Sequence, residues 1–139
     1  MRVFVADDGG VRELTGGDEP VVRVAAPDLQ QARRVRARIR ADSGDVAVIL
    51  DLAVAVGVDF RSAQQILGPA DAGTVRYVGT VAGLAGLISD IASAEVADGV
   101  TLIPAAPRQD LATVGRDVLA RLADARQIDR PGIDHPRAS

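Results

Sequence analysis

Cysteine, lysine, asparagine and tryptophan are absent from this sequence. Without cysteine, disulfides, thiolate metal sites and cysteine nucleophiles are excluded. The one histidine, His135, stands near the C-terminus among Pro131, Gly132 and Pro136, where a solvated tail residue is expected. Histidine-based metal sites and Ser-His-Asp catalysis therefore have almost nothing to build on. Aromatic rings are scarce as well: Phe4, Phe60 and Tyr77 are all there are. The core must be packed from Val, Leu, Ile and Ala, and the base-stacking platforms of single-stranded nucleic-acid binders are missing. No apolar run reaches the length of a membrane span, and the N-terminus has no signal-peptide pattern. The expectation is a cytoplasmic protein without membrane or nucleic-acid partners.

All sixteen basic residues are arginine, which reads as the coding bias of a GC-rich genome. The run from Arg33 to Arg40 accompanies a net charge of −3, and its arginines surround an apolar stripe. That is the pattern of a solvated helix face. A hydrophobic fraction of 47% with 25% charged residues places the chain among ordinary globular proteins.

What is present alternates between strand and helix patterns. Arg2 to Ala6 reads as a strand stopped by Asp7-Asp8-Gly9-Gly10, and Val11 to Leu14 as one helical turn before Gly16-Gly17. Val21 to Ala25 is a second strand. Pro27-Asp28 then opens a helix with Leu29, Ala32, Val35 and Ile39 on one face, ended by Ser43-Gly44. Val46 to Val56 is nearly continuous in apolar residues, as in a strand buried on both faces. Phe60 to Leu67 is a short helix and Val75 to Val78 a brief extended piece. Thr80 stands where an N-cap belongs, before a helix carrying Leu84, Leu87, Ile88 and Ile91. Gly99 to Ile103 is the last strand, and Asp110 starts a final helix. From Asp124 the apolar period is lost. This gives one domain over 1–123 and a loosely ordered tail over 124–139, built from four principal strands in a largely parallel α/β sheet.

Tyr77-Val-Gly-Thr80, the amphipathic helix after it and Val96-Ala-Asp-Gly-Val-Thr-Leu-Ile-Pro104 resemble the luciferase-like, flavin-dependent monooxygenases. In that family a Val-Gly-Thr-Pro helix start and an Ala-Asp-Gly turn lead into the final barrel strand; here Val81 replaces the proline. Upstream, Val21 to Leu29 and Val46 to Gln65 resemble the preceding strand–helix segments. The resemblance covers about Arg2 to Leu122 and implies the C-terminal part of a TIM-type βα barrel. A whole barrel takes about 250 residues, so this chain is roughly half of one.

The resemblance also implies a flavin, FMN or a related one, with its phosphate contacted by the turn at Asp7, Asp8, Gly9 and Gly10. Here the sequence departs from the family, which uses small hydroxyls. Gly9 and Gly10 keep a backbone able to cradle an anion, whereas two carboxylates repel a phosphate. Adjacent carboxylates without spaced partners also make a poor calcium or magnesium site. No catalytic residue is assigned.

Asp51 interrupts the most apolar strand and needs a partner. Arg23 on the neighbouring strand is expected to supply it, as a structural ion pair or as the remnant of a ligand site. Tyr77 reads as packing. Gly83 and Gly86, inside a helix, are expected to admit a neighbouring backbone. Four strands cannot close a barrel, and an open sheet has two exposed edges. A homodimer or a separate partner chain is therefore expected to complete the fold. Two functions follow: a truncated homologue serving as a non-catalytic binding or assembly module, or a flavin-dependent oxidoreductase component completed by its partner. An excised piece of a longer enzyme is a third reading.

Overall fold

A computed structural model describes residues 1–7, 9–69 and 72–129. Ten elements are defined: β1 (Arg2–Asp7), β2 (Gly10–Glu13), β3 (Val21–Val24), α1 (Leu29–Asp42), β4 (Ala47–Val56), α2 (Phe60–Gln65), β5 (Val75–Gly79), α3 (Val81–Ser93), β6 (Gly99–Pro104) and α4 (Leu111–Asp129). The chain is mixed α/β with a mainly parallel sheet, and only β2 runs antiparallel.

The sheet is organised around β4. One edge of β4 pairs with β6, which pairs with β1 and then β2. The other edge carries two strands end to end: β3 pairs from Val21↔Ala47 to Val24↔Leu50, and β5 from Leu52↔Val75 to Val56↔Gly79. Successive strands β3, β4 and β5 are thus neighbours, while β6 crosses to the opposite edge and joins β1. Among the described residues the sheet does not close on itself.

Side-chain alternation decides the faces. Val3, Val5, Leu50, Leu52, Val54, Val100 and Leu102 point to one face and are fully buried under Leu84, Ile88, Ile91 and Val118 of α3 and α4. Each such side chain contributes about 1.5–3 kcal/mol by leaving water. On the opposite face Ile49, Ala55 and Thr101 are also buried, so β4 is covered on both sides as its composition predicts.

Two sequence expectations change. Val11 to Leu14 is not a helical turn: residues 10–13 form β2, in a hairpin that pairs Asp7 with Gly10. Two residues, Asp8-Gly9, remain for the connection, and Asp-Gly is a strong signal for such a hairpin. With β2, and with the brief extended piece at Val75 to Val78 paired as β5, the described residues form a six-stranded sheet in place of the four principal strands expected. α4 runs to Asp129, past the point at Asp124 where the apolar period stops. His135 lies outside the described residues.

Candidate functional site at the strand C-termini

In a parallel sheet the loops after the strands gather at one end. Here that end receives the β1–β2 turn and the starts of α2, α3 and α4. At the turn, the Gly9 N–H donates to Asp7 Oδ1 at 2.9 Å, and Gly10 has φ +105°, which glycine adopts without penalty. The structure brings Asp7, Gly9 and Gly10 together in this hairpin; Asp8 lies outside the described residues. A strand, β2, follows the turn, so the turn does not itself open a helix.

The helix starts are mostly acidic. Asp59 Oδ1 accepts from the Ser62 N–H at 2.7 Å, and that bond holds the Asp59 carboxyl below the ordinary carboxylate range. Asp110 accepts from the Thr113 hydroxyl at 2.8 Å and its N–H at 3.1 Å, with the same effect on its titration. Only α3 has a neutral cap here: Thr80 Oγ1 accepts from the Gly83 N–H at 3.2 Å. The Tyr77 hydroxyl donates to the Thr80 carbonyl at 2.9 Å and sits where a Cβ on Gly79 or Gly83 would stand. Gly83 therefore admits a tyrosine side chain, not a backbone, and Gly86 faces open space.

Between β6 and α4 the chain passes through Pro104, Pro107 and Arg108, the last in the left-handed region at φ +62°. Gln109 then folds back on β4. Its Nε2 donates to the Val54 carbonyl at 2.6 Å, and its Oε1 accepts from the Val56 N–H at 2.9 Å. One carboxamide thus continues the ladder that β6 abandons at Pro104. Across from it, the Gly68 N–H donates to the Ala105 carbonyl at 2.7 Å, tying the loop after α2 to the end of β6.

These loops enclose an open cleft of about 670 Å³, with Ala6, Ile66 and Pro104 as apolar lining and Asp7 and Arg108 on its walls. It adjoins a second of about 870 Å³ that shares Ile66, Pro107, Arg108 and Gln109. Three large apolar side chains stand exposed on or beside α2: Val58 (90%), Phe60 (57%) and Ile66 (42%). Sequence reasoning did not single out Arg108 or Gln109, because neither belongs to a recognisable motif.

Asp51 is paired as expected. Arg23 Nε donates to Asp51 Oδ1 at 2.5 Å. Asp51 occupies the seam where β3 ends and β5 begins along β4, opposite Thr101 on the other edge. The Ala97-Asp98-Gly99 turn also has a structural task. Asp98 Oδ2 accepts from the Val48 N–H at 2.8 Å, and Oδ1 accepts two bonds from Arg36 at 3.1 and 2.9 Å. A Cβ on Gly99 would collide with the Arg2 carbonyl of β1 and with Ile49. Among the described residues, no three acidic or histidine side chains are grouped as a metal site would require. No helix among them is long and apolar enough to cross a membrane.

No protein-family model and no curated protein matches the sequence. In fold the chain is similar to a solved structure, the EDTA monooxygenase EmoA from Chelativorans sp. BNC1, with a TM-score of 0.57 and 12% identity. The match covers 76% of this chain and 39% of that one. The likeness is one of fold, and the chain spans well under half of the larger protein.

Proposed function

We propose that the chain is a truncated relative of the luciferase-like monooxygenases, corresponding to about half of a TIM-type barrel, and that alone it is a binding or assembly module. The observation that carries this reading is the turn at Asp7. The Gly9 N–H, which a phosphate would need, is engaged by the Asp7 carboxylate, and a strand follows in place of a helix. Carboxylates at Asp7, Asp59 and Asp110 add negative charge at the same end of the sheet. A flavin phosphate does not fit these residues, so no chemical step is assigned to a flavin.

The test is a titration of FMN with the purified chain, read by flavin fluorescence. No saturable quenching is expected; saturable binding would overturn the reading. It would favour the alternative of a flavin-dependent oxidoreductase component acting in the cytoplasm and completed by a second copy or a partner chain. That alternative draws support from the unpaired sheet edges and from exposed Val58, Phe60 and Ile66. Light scattering separates its two forms: a monomer at micromolar concentration leaves only the separate partner chain.

A further inference from the structure

The cleft between the β1–β2 turn and the β6–α4 loop has a feature the proposal above does not use. Among the described residues its lining is mostly apolar, from Ala6, Ile66, Leu67 and Pro104 among others, yet includes one acid, Asp7, and one base, Arg108. Both are exposed and neither pairs with the other. Asp7 receives only the Gly9 N–H, through Oδ1, leaving Oδ2 without a hydrogen bond among the described residues. The Arg108 guanidinium makes no ion pair or hydrogen bond among them.

Arg108 is also held in a left-handed backbone conformation, which a residue with a side chain adopts at a cost. Glycine would serve that bend without strain. The bend lets Gln109 reach β4, but it does not require a guanidinium. Asp110 cannot take the role of Asp7, because Thr113 engages both its oxygens.

A mostly apolar cleft in which Asp7 and Arg108 stand unpaired among the described residues is complementary to an apolar body bearing both charges. We propose that this cleft binds a small zwitterion, an aminoalkanoate or a short apolar peptide, with Asp7 taking the ammonium and Arg108 the carboxylate. Carboxylate–guanidinium pairing in a fork geometry gives the anionic end its orientation. A simple anion would meet Asp7, and a simple cation would meet Arg108, so each is disfavoured by the group it cannot satisfy. This goes beyond the module reading and does not depend on it, since the ligand is not a flavin.

A matched series tests it on the full chain by calorimetry: 6-aminohexanoate, hexanoate and hexylamine. The expected result is saturable binding of 6-aminohexanoate, about tenfold tighter than either single-charge analogue. Asp7→Asn keeps an acceptor for the Gly9 N–H and should lower 6-aminohexanoate to the level of hexanoate. Arg108→Gly relieves the backbone and should lower it to the level of hexylamine without lowering the melting temperature. Equal binding of all three compounds, no binding of 6-aminohexanoate, or indifference to both substitutions in variants that melt like the parent would each overturn the proposal. The FMN titration reads the other proposal separately, because none of these probes carries a phosphate or a ring.

Discussion

Arg36 of α1 donates twice to Asp98 of the turn before β6, although 62 positions separate them. The same carboxylate holds the Val48 N–H at the start of the central strand. One side chain therefore fastens a helix, a turn and β4 together. Burial pushes the Asp98 carboxyl up, but bonds from Arg36 and Val48 with the charges of Arg36 and Arg40 outweigh it, leaving it below its ordinary value.

Asp98→Ala should cost about 2 kcal/mol in urea unfolding, the scale of hydrogen bonds to a charged group. Asp98→Asn retains an acceptor for Val48 and should cost less. The pH dependence has a fixed sign. Glu13, bonded to Arg2, is depressed as Asp98 is, so the unfolded chain binds protons more readily at both positions. Their stabilisation is present above about pH 4 and is lost as the pH falls from there through the depressed folded values. Asp98→Asn should flatten this acid limb; an unchanged limb would show that Asp98 is not one of its sources.

Gly83 and Gly86 lie three residues apart in α3 and should respond oppositely to alanine. At Gly86, with open space around it, alanine should stabilise the fold by up to about 1 kcal/mol through helix propensity. At Gly83 the new Cβ meets the Tyr77 hydroxyl, so Gly83→Ala should destabilise. Removing that hydroxyl with Tyr77→Phe in the same chain should recover part of the loss. Thermal melts of the two single variants and the pair decide this, and equal shifts at both glycines would refute the packing role of Tyr77.

Gln109→Ala should expose the end of β4. The Val56 N–H loses the partner it has, while the Val54 carbonyl retains the Ala105 N–H at 2.8 Å. A cost of about 1–3 kcal/mol follows from leaving that donor unsatisfied. Hydrogen exchange should show Val56 losing protection before residues at the middle of β4. Uniform loss along the strand would mean that Gln109 acts on global stability and not on the local ladder.

Much of this architecture is legible from local chemistry. Thr80 precedes α3 as an N-cap, Asp28 precedes α1, and the apolar run in β4 is buried on both faces, because capping and burial patterns are short-range rules. The Arg23–Asp51 pair follows because a carboxylate in an apolar strand needs a nearby cation. β2 has a local signal in Asp8-Gly9, but the local reading of Val11 to Leu14 is one helical turn, and only pairing with β1 decides for the strand. Asp98 stood within a recognised motif whose purpose, gathering Arg36 and Val48, no spacing discloses. Gln109 and Arg108 carry no pattern at all.

The sequence by itself determined most strands and helices, though not β2, together with the apolar faces that form the core and the absence of any cysteine chemistry. The tertiary structure decided which edge of β4 each strand takes, that Asp7 and Arg108 line one cleft, and that a glutamine side chain extends the ladder of β4 where β6 ends. The division has a physical cause. Helix caps and side-chain periods are fixed by residues a few positions apart, whereas strand order and clefts depend on contacts between segments distant in the chain.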